Sequence, residues 1–144
     1  LRIALLTYRG NPRSGGQGIY VRQLSRELAS LGHHVDVWSG PPYPERVDAV
    51  SLVKVDDRIS DSEAATLQSL SDSIAGVIEK GALIIVESTL PVGTPDAFCA
   101  WLTEARPELR FPHQAGSEAD VQVAHSPSAF CPGESCWSLY RTTG

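Results

Sequence analysis

Residues 3–38, IALLTYRGNPRSGGQGIYVRQLSRELASLGHHVDVW, decide the fold class of this chain. Residues 3–8 are a short apolar run that breaks off into RGNPRSGG, as a buried parallel strand does when it feeds a loop. From Ile19 onward Tyr20, Leu24, Leu28 and Leu31 recur at helical spacing, with Arg22, Arg26 and Glu27 between them. Gly32 is placed to cap that helix in a left-handed conformation, and residues 34–38 alternate like a second strand. Strand, glycine loop, helix and strand make a βαβ unit.

The pattern continues on the carboxyl side. VSLVKV, residues 50–55, alternates as a third strand. Ser60 with Glu63 forms a capping box for a second helix, whose apolar stripe is Leu67, Leu70, Ile74, Val77 and Ile78 as far as Gly81. ALIIVE, residues 82–87, is apolar on both faces and so belongs in the middle of a parallel sheet. Thr94 caps a third helix with Pro95 at its first position, and Pro107 marks the far end. VQVAH, residues 121–125, is a last strand, and residues 134–144 read as an irregular tail. Glu104, Glu108, Glu118 and Asp120 read as a solvated face, and Trp101 as core. The expected architecture is a single α/β domain of 144 residues, a three-layer, doubly wound, Rossmann-like sheet of about five or six mostly parallel strands.

Composition excludes several partner classes. A formal charge of −5 with no basic run argues against nucleic acid or an anionic membrane. The longest aliphatic run, ALIIV, is far short of the roughly 20 residues that span a bilayer, and residues 1–10 lack the apolar core of a signal peptide, so a cytoplasmic location is expected. Cys99, Cys131 and Cys136 are too few for a disulfide framework. With His125, the last two would make a poor metal set without any CxxC pair, so no metal is expected.

Two strand-to-helix loops carry the chemistry, because ligands of parallel sheets bind at the carboxyl ends of the strands. In the first, Gly15, Gly16 and Gly18 let the backbone approach a phosphate, the helix N-terminus offers free N–H groups, and Arg13 adds charge. GQGIYV lacks the last glycine of a dinucleotide fingerprint, and the strand and Gly16 are too far apart for its tight turn. No acid stands at the tip of the second strand, since Asp36 lies inside it. An anion-binding loop, a plain turn and a dinucleotide fingerprint remain open, in that order. The second loop, ESTLPVGTP at residues 87–95, offers hydroxyls, a proline turn and a helix N-terminus, a polar rim that any capped turn would also use.

Residues 1–55 resemble the amino-terminal end of family 4 glycosyltransferases of the GT-B fold, on the ordered motif of strand, glycine loop, helix and the turn into the second strand. That resemblance implies a loop at Gly15 and Gly16 near a donor diphosphate. ESTLPVGT together with EARPELRFPHQAGSEADVQVA, within about residues 64–133, is very similar to the middle of nucleotide-sugar dehydrogenases of the UDP-N-acetyl-D-mannosamine type. Those enzymes use NAD to oxidise a sugar C6 alcohol to a carboxylate in two hydride transfers. The resemblance implies NAD as cofactor, Glu87, Ser88 and Thr89 beside the nicotinamide ribose, and Thr89 holding a water near the reacting carbon.

The chain departs from that family where HSPSAFCPG places Ser128 at the position of a catalytic glutamate and Ala129 at that of an arginine. A weak hydroxyl cannot replace a carboxylate that takes or holds a proton. The family's nucleophilic cysteine and its lysine and asparagine partners match nothing here. The chain therefore reads as composite, residues 1–55 joined near residues 56–61 to a dehydrogenase-like segment at 62–133. The expected function is a truncated or divergent NAD-dependent UDP-sugar 6-dehydrogenase module with little or no activity alone. The alternatives are a glycosyltransferase lobe that binds a nucleoside diphosphate or UDP-sugar, and a folded fragment without a site.

Overall fold

The computed structural model describes residues 1–7, 16–41, 43–55, 63–87, 94–126 and 138–139. Strands β1 (Arg2–Thr7), β2 (His34–Ser39), β3 (Val50–Lys54), β4 (Leu83–Glu87), β5 (Gln122–Ser126) and β6 (Ser138–Leu139) form one sheet in the order β3-β2-β1-β4-β5-β6. The first five are parallel, and β6 pairs antiparallel with β5. The expected doubly wound α/β sheet is therefore present, with its strand order reversing between β1 and β4. β6 falls in the tail that has no readable period, because a two-residue strand is defined by its partner and not by its own pattern.

Helix α1 (Gly16–Ser30) covers one face. There Val21 packs in a cluster with Ile3, Leu5, Val35, Val37 and Ile85. Helices α2 (Glu63–Ala75) and α3 (Thr94–Ala105) cover the other. Their Leu67, Leu70, Ile74, Phe98 and Leu102 bury Leu6, Trp38, Ile84, Val86 and Val123 in the larger core, with Trp101 packed at its margin as expected. Strand alternation separates the two clusters, since odd positions of β1 face α1 and even positions face α2 and α3.

Several local expectations need correction. Helix α1 begins at Gly16 and not at Ile19, so two of the loop glycines are helical. Its buried ridge runs through Gly18, Val21 and Ser25, while Tyr20 and Leu31 point outward. Leu24 and Leu28 of the expected stripe do pack against the core beside that ridge, whereas small Gly18 and Ser25 on the ridge carry no hydrophobic period to read. Helix α2 ends at Ala75, before the stripe predicted as far as Gly81, and Val77 is half exposed. Gly32 and Gly81 do turn with positive φ, at +85° and +86°.

Asp120 is not on a solvated face: it is buried, 2.7 Å from the Lys80 ammonium. A short helix α4 (Pro112–Ala115) follows α3 and was not expected, because four residues carry no period. The expected capping serine, Ser60, and the join near residues 56–61 lie outside the described residues.

Candidate functional site

The carboxyl edge of the sheet is assembled from the last residue of each parallel strand. Register pairs Lys54 with Ser39, Ser39 with Thr7, Thr7 with Glu87 and Glu87 with Ser126. Every one is polar, although β1 and β4 are otherwise almost wholly apolar. Thr7, Ser39 and Glu87 are fully buried, and alternation sets them on the face that α1 covers. The row is visible in the sequence only once the strand ends are known. Nothing local marks a terminal threonine or lysine as functional.

The opposite edge is closed by ion pairs. Arg2 reaches Glu79 at 3.0 Å and Asp36 at 3.6 Å, and His34 Nε2 lies 3.4 Å from Asp36. Lys80 and Arg110 meet on Asp120 at 2.7 and 3.3 Å. Charge at the amino edge is thus spent on holding strands and turns together. Asp36, the only acid of β2, faces this edge and not the tip of its strand.

Helix α1 starts at the carboxyl edge, since its far end turns at Gly32 into the first residue of β2. Gly16 opens it and is exposed, and a Cβ there would meet no atom of the described residues within 4 Å. Among the described residues nothing demands glycine at this position, whereas Gly18 belongs to the buried ridge. Gly15 precedes the helix outside the described residues, as do Ser88 and Thr89 after Glu87. Glu87 ends β4 beside Thr7, so the two loops singled out in the sequence leave the sheet from adjacent positions. They do so where the strand order reverses, the crevice in which ligands of such sheets bind.

The described cysteine is no nucleophile. Cys99 is fully buried in α3, and burial, helped by the nearby Asp96 charge, pushes its thiol up to about 12. Cys131 and Cys136 lie outside the described residues, and His125 sits half-buried on β5. Among the described residues no three His, Cys, Asp or Glu side chains converge as metal ligands, and no helix is long and apolar enough to cross a membrane.

A nicotinamide dinucleotide laid across this edge would meet unlike ends. Toward β4 it would meet the strand end of Glu87, a buried carboxyl group at the reversal point. Toward β2 they depart, because the acid that usually accepts from the adenosine ribose is replaced by Ser39.

Comparison with known proteins brings in two kinds of relative. Residues 48–142 match the model of the UDP-glucose/GDP-mannose dehydrogenase family, NAD binding domain. Over 74 residues the chain is 46% identical to UDP-N-acetyl-D-mannosamine dehydrogenase of Salmonella typhi, covering 51% of this chain and 18% of that protein. Over 56 residues it is 64% identical to an MMP alpha-(1->4)-mannosyltransferase of Mycolicibacterium hassiacum, covering 38% of this chain and 14% of that protein. The chain thus spans less than a fifth of the length of either relative. In structure it is similar to the UDP-D-ManNAc dehydrogenase of Pyrococcus horikoshii, with a TM-score of 0.56 at 19% identity, over 92% of this chain and 37% of the other, a likeness of fold. Both expected resemblances, to dehydrogenase and to glycosyltransferase, are present in one chain.

Proposed function

The chain belongs to the UDP-glucose/GDP-mannose dehydrogenase family, and from that membership we propose that it is the NAD-binding module of a nucleotide-sugar 6-dehydrogenase. Its sugar nucleotide is of the UDP-N-acetylmannosamine class, the substrate named for its relative. One observation carries the reading: β1 and β4 are neighbours in register, so Thr7 and Glu87 flank the reversal point from which both loops depart. On this reading Glu87 fixes the start of the loop, and Ser88 and Thr89 border the nicotinamide ribose. Thr89 holds a water beside the reacting carbon. NAD, when bound, supplies the hydride acceptor.

Turnover by these residues alone is expected to be little or none. Cys99 cannot supply a thiolate at neutral pH, and Ser128 stands where the similar enzymes have a catalytic glutamate.

The experiment is nuclear magnetic resonance of the isotope-labelled chain titrated separately with NAD and UDP, alongside thermal unfolding. NAD should shift the amides of residues 83–87, and at a hundredfold excess over its Kd it should stabilise the fold by about 2.7 kcal/mol. No shift and no stabilisation at millimolar NAD would end the proposal. A second reading, a glycosyltransferase lobe, is favoured by the 64% identity to the mannosyltransferase over 56 residues. It expects UDP to move the amides of residues 16–20 instead. A chain that unfolds cooperatively yet responds to neither ligand is a folded fragment without a site.

A further inference from the structure

The two ends of the carboxyl edge differ in access. A doubly wound dinucleotide site asks the tip of β2 for an acid that accepts from the adenosine ribose, with a crevice open in front of it. Here that tip is closed. Ser39 is fully buried, its hydroxyl donates to the Gly40 carbonyl at 2.8 Å, and its own carbonyl accepts from the Val55 N–H at 3.0 Å. Both polar groups of Ser39 are thus bonded within the protein, and burial keeps a ribose hydroxyl from reaching either. Asp36, the acid of β2, is engaged at the amino edge with Arg2 and His34.

The chain that follows β2 is pinned at these strand ends. The Tyr43 hydroxyl donates to the carbonyl of Val55, itself buried, at 3.4 Å, and the Lys54 ammonium lies 4.8 Å from the centroid of the Tyr43 ring. Pro44 is buried, and Glu45 pairs with Arg22 of α1 at 3.3 Å. Residues 43–45 are therefore held against the end of β3 and against α1. An adenosine seated at the tip of β2 would have to displace them. The reversal point differs, because there Thr7 and Glu87 end β1 and β4 side by side and both strand-to-helix loops depart.

We propose that the chain holds NAD by its nicotinamide half alone, so that nicotinamide mononucleotide binds as tightly as the whole dinucleotide. The inference rests on the reading of this edge as an NAD site, and says which part of NAD that site grips. The test is isothermal titration of the whole chain with NAD, with nicotinamide mononucleotide and with AMP, the adenosine half. The first two should bind with Kd values within about threefold of each other, and AMP should give no heat at millimolar concentration. One hydrogen bond from the ribose to an acid would instead make NAD about tenfold the tighter ligand. Nuclear magnetic resonance locates the contact: saturating NAD should shift the amides of residues 83–87 and leave those of Ser39, Gly40 and Val55 in place. NAD binding about tenfold tighter than nicotinamide mononucleotide, or AMP shifting the amides of Ser39 and Gly40, overturns the inference and leaves the NAD reading standing. Absence of heat with both NAD and nicotinamide mononucleotide overturns that reading and the inference with it.

Discussion

The Asp120 carboxylate accepts from the Lys80 ammonium at 2.7 Å, from the Arg110 backbone N–H at 3.1 Å and from its guanidinium at 3.3 Å. The Lys80 bond, then those from Arg110, hold the carboxyl well below the usual carboxylate range. A carboxyl whose folded pKa is depressed contributes stability above its ordinary value of about 4 and loses it as pH falls below that value. We therefore expect Asp120→Asn to be less stable than wild type near neutrality, and the gap between them to shrink steadily on acidification below pH about 4. Urea midpoints measured across that range check it, and two parallel profiles would refute it. In the sequence Asp120 is indistinguishable from Glu118, which is exposed. The difference is made by Lys80, far away along the chain, which no local pattern can bring to it.

Helices α2 and α3 end side by side, and one side chain ties the two ends. The Arg106 guanidinium donates to the Ala75 carbonyl at 2.6 Å and to the Ile78 carbonyl at 3.0 Å, while its Nε donates to Glu108. Carbonyls at a helix C-terminus have no partner within their own helix, so Arg106 caps α2 from a neighbouring element. Arg106→Ala should lower unfolding stability by about 2 kcal/mol, and Arg106→Lys should recover part of that loss, since it keeps the charge without the fork. Urea denaturation reads both, and an alanine variant as stable as wild type would remove the clamp from the account. The extent of α3 was legible from Thr94, Pro95 and Pro107, because caps and proline act on their own turn. The role of Arg106 was not, since it exists only where the ends of α2 and α3 meet.

β1 has β2 on one side and β4 on the other, so the segments resembling two different families share a single sheet. Leu6 and Trp38 come from the first segment, yet the helices that bury them, α2 and α3, come from the second. We propose that the chain unfolds as one cooperative unit. Tryptophan fluorescence and far-ultraviolet circular dichroism should give coincident transitions for the whole chain, whereas isolated residues 1–55 should show no cooperative transition. A sharp melt from that fragment would mean that the segments fold independently. By itself the sequence determined the kinds of element, most of their limits and the doubly wound class, because hydrophobic period, caps and turn residues act over a few neighbours. It also singled out two strand-to-helix loops, which leave the sheet from the adjacent strands β1 and β4. Only the tertiary structure decided that Thr7 and Glu87 are neighbours, that five strand ends make one polar row, and that Lys54 stands beside Ser39 over Tyr43. Those adjacencies follow from strand order and register, which are set by burying both faces of the whole sheet at once and not by any stretch of chain alone.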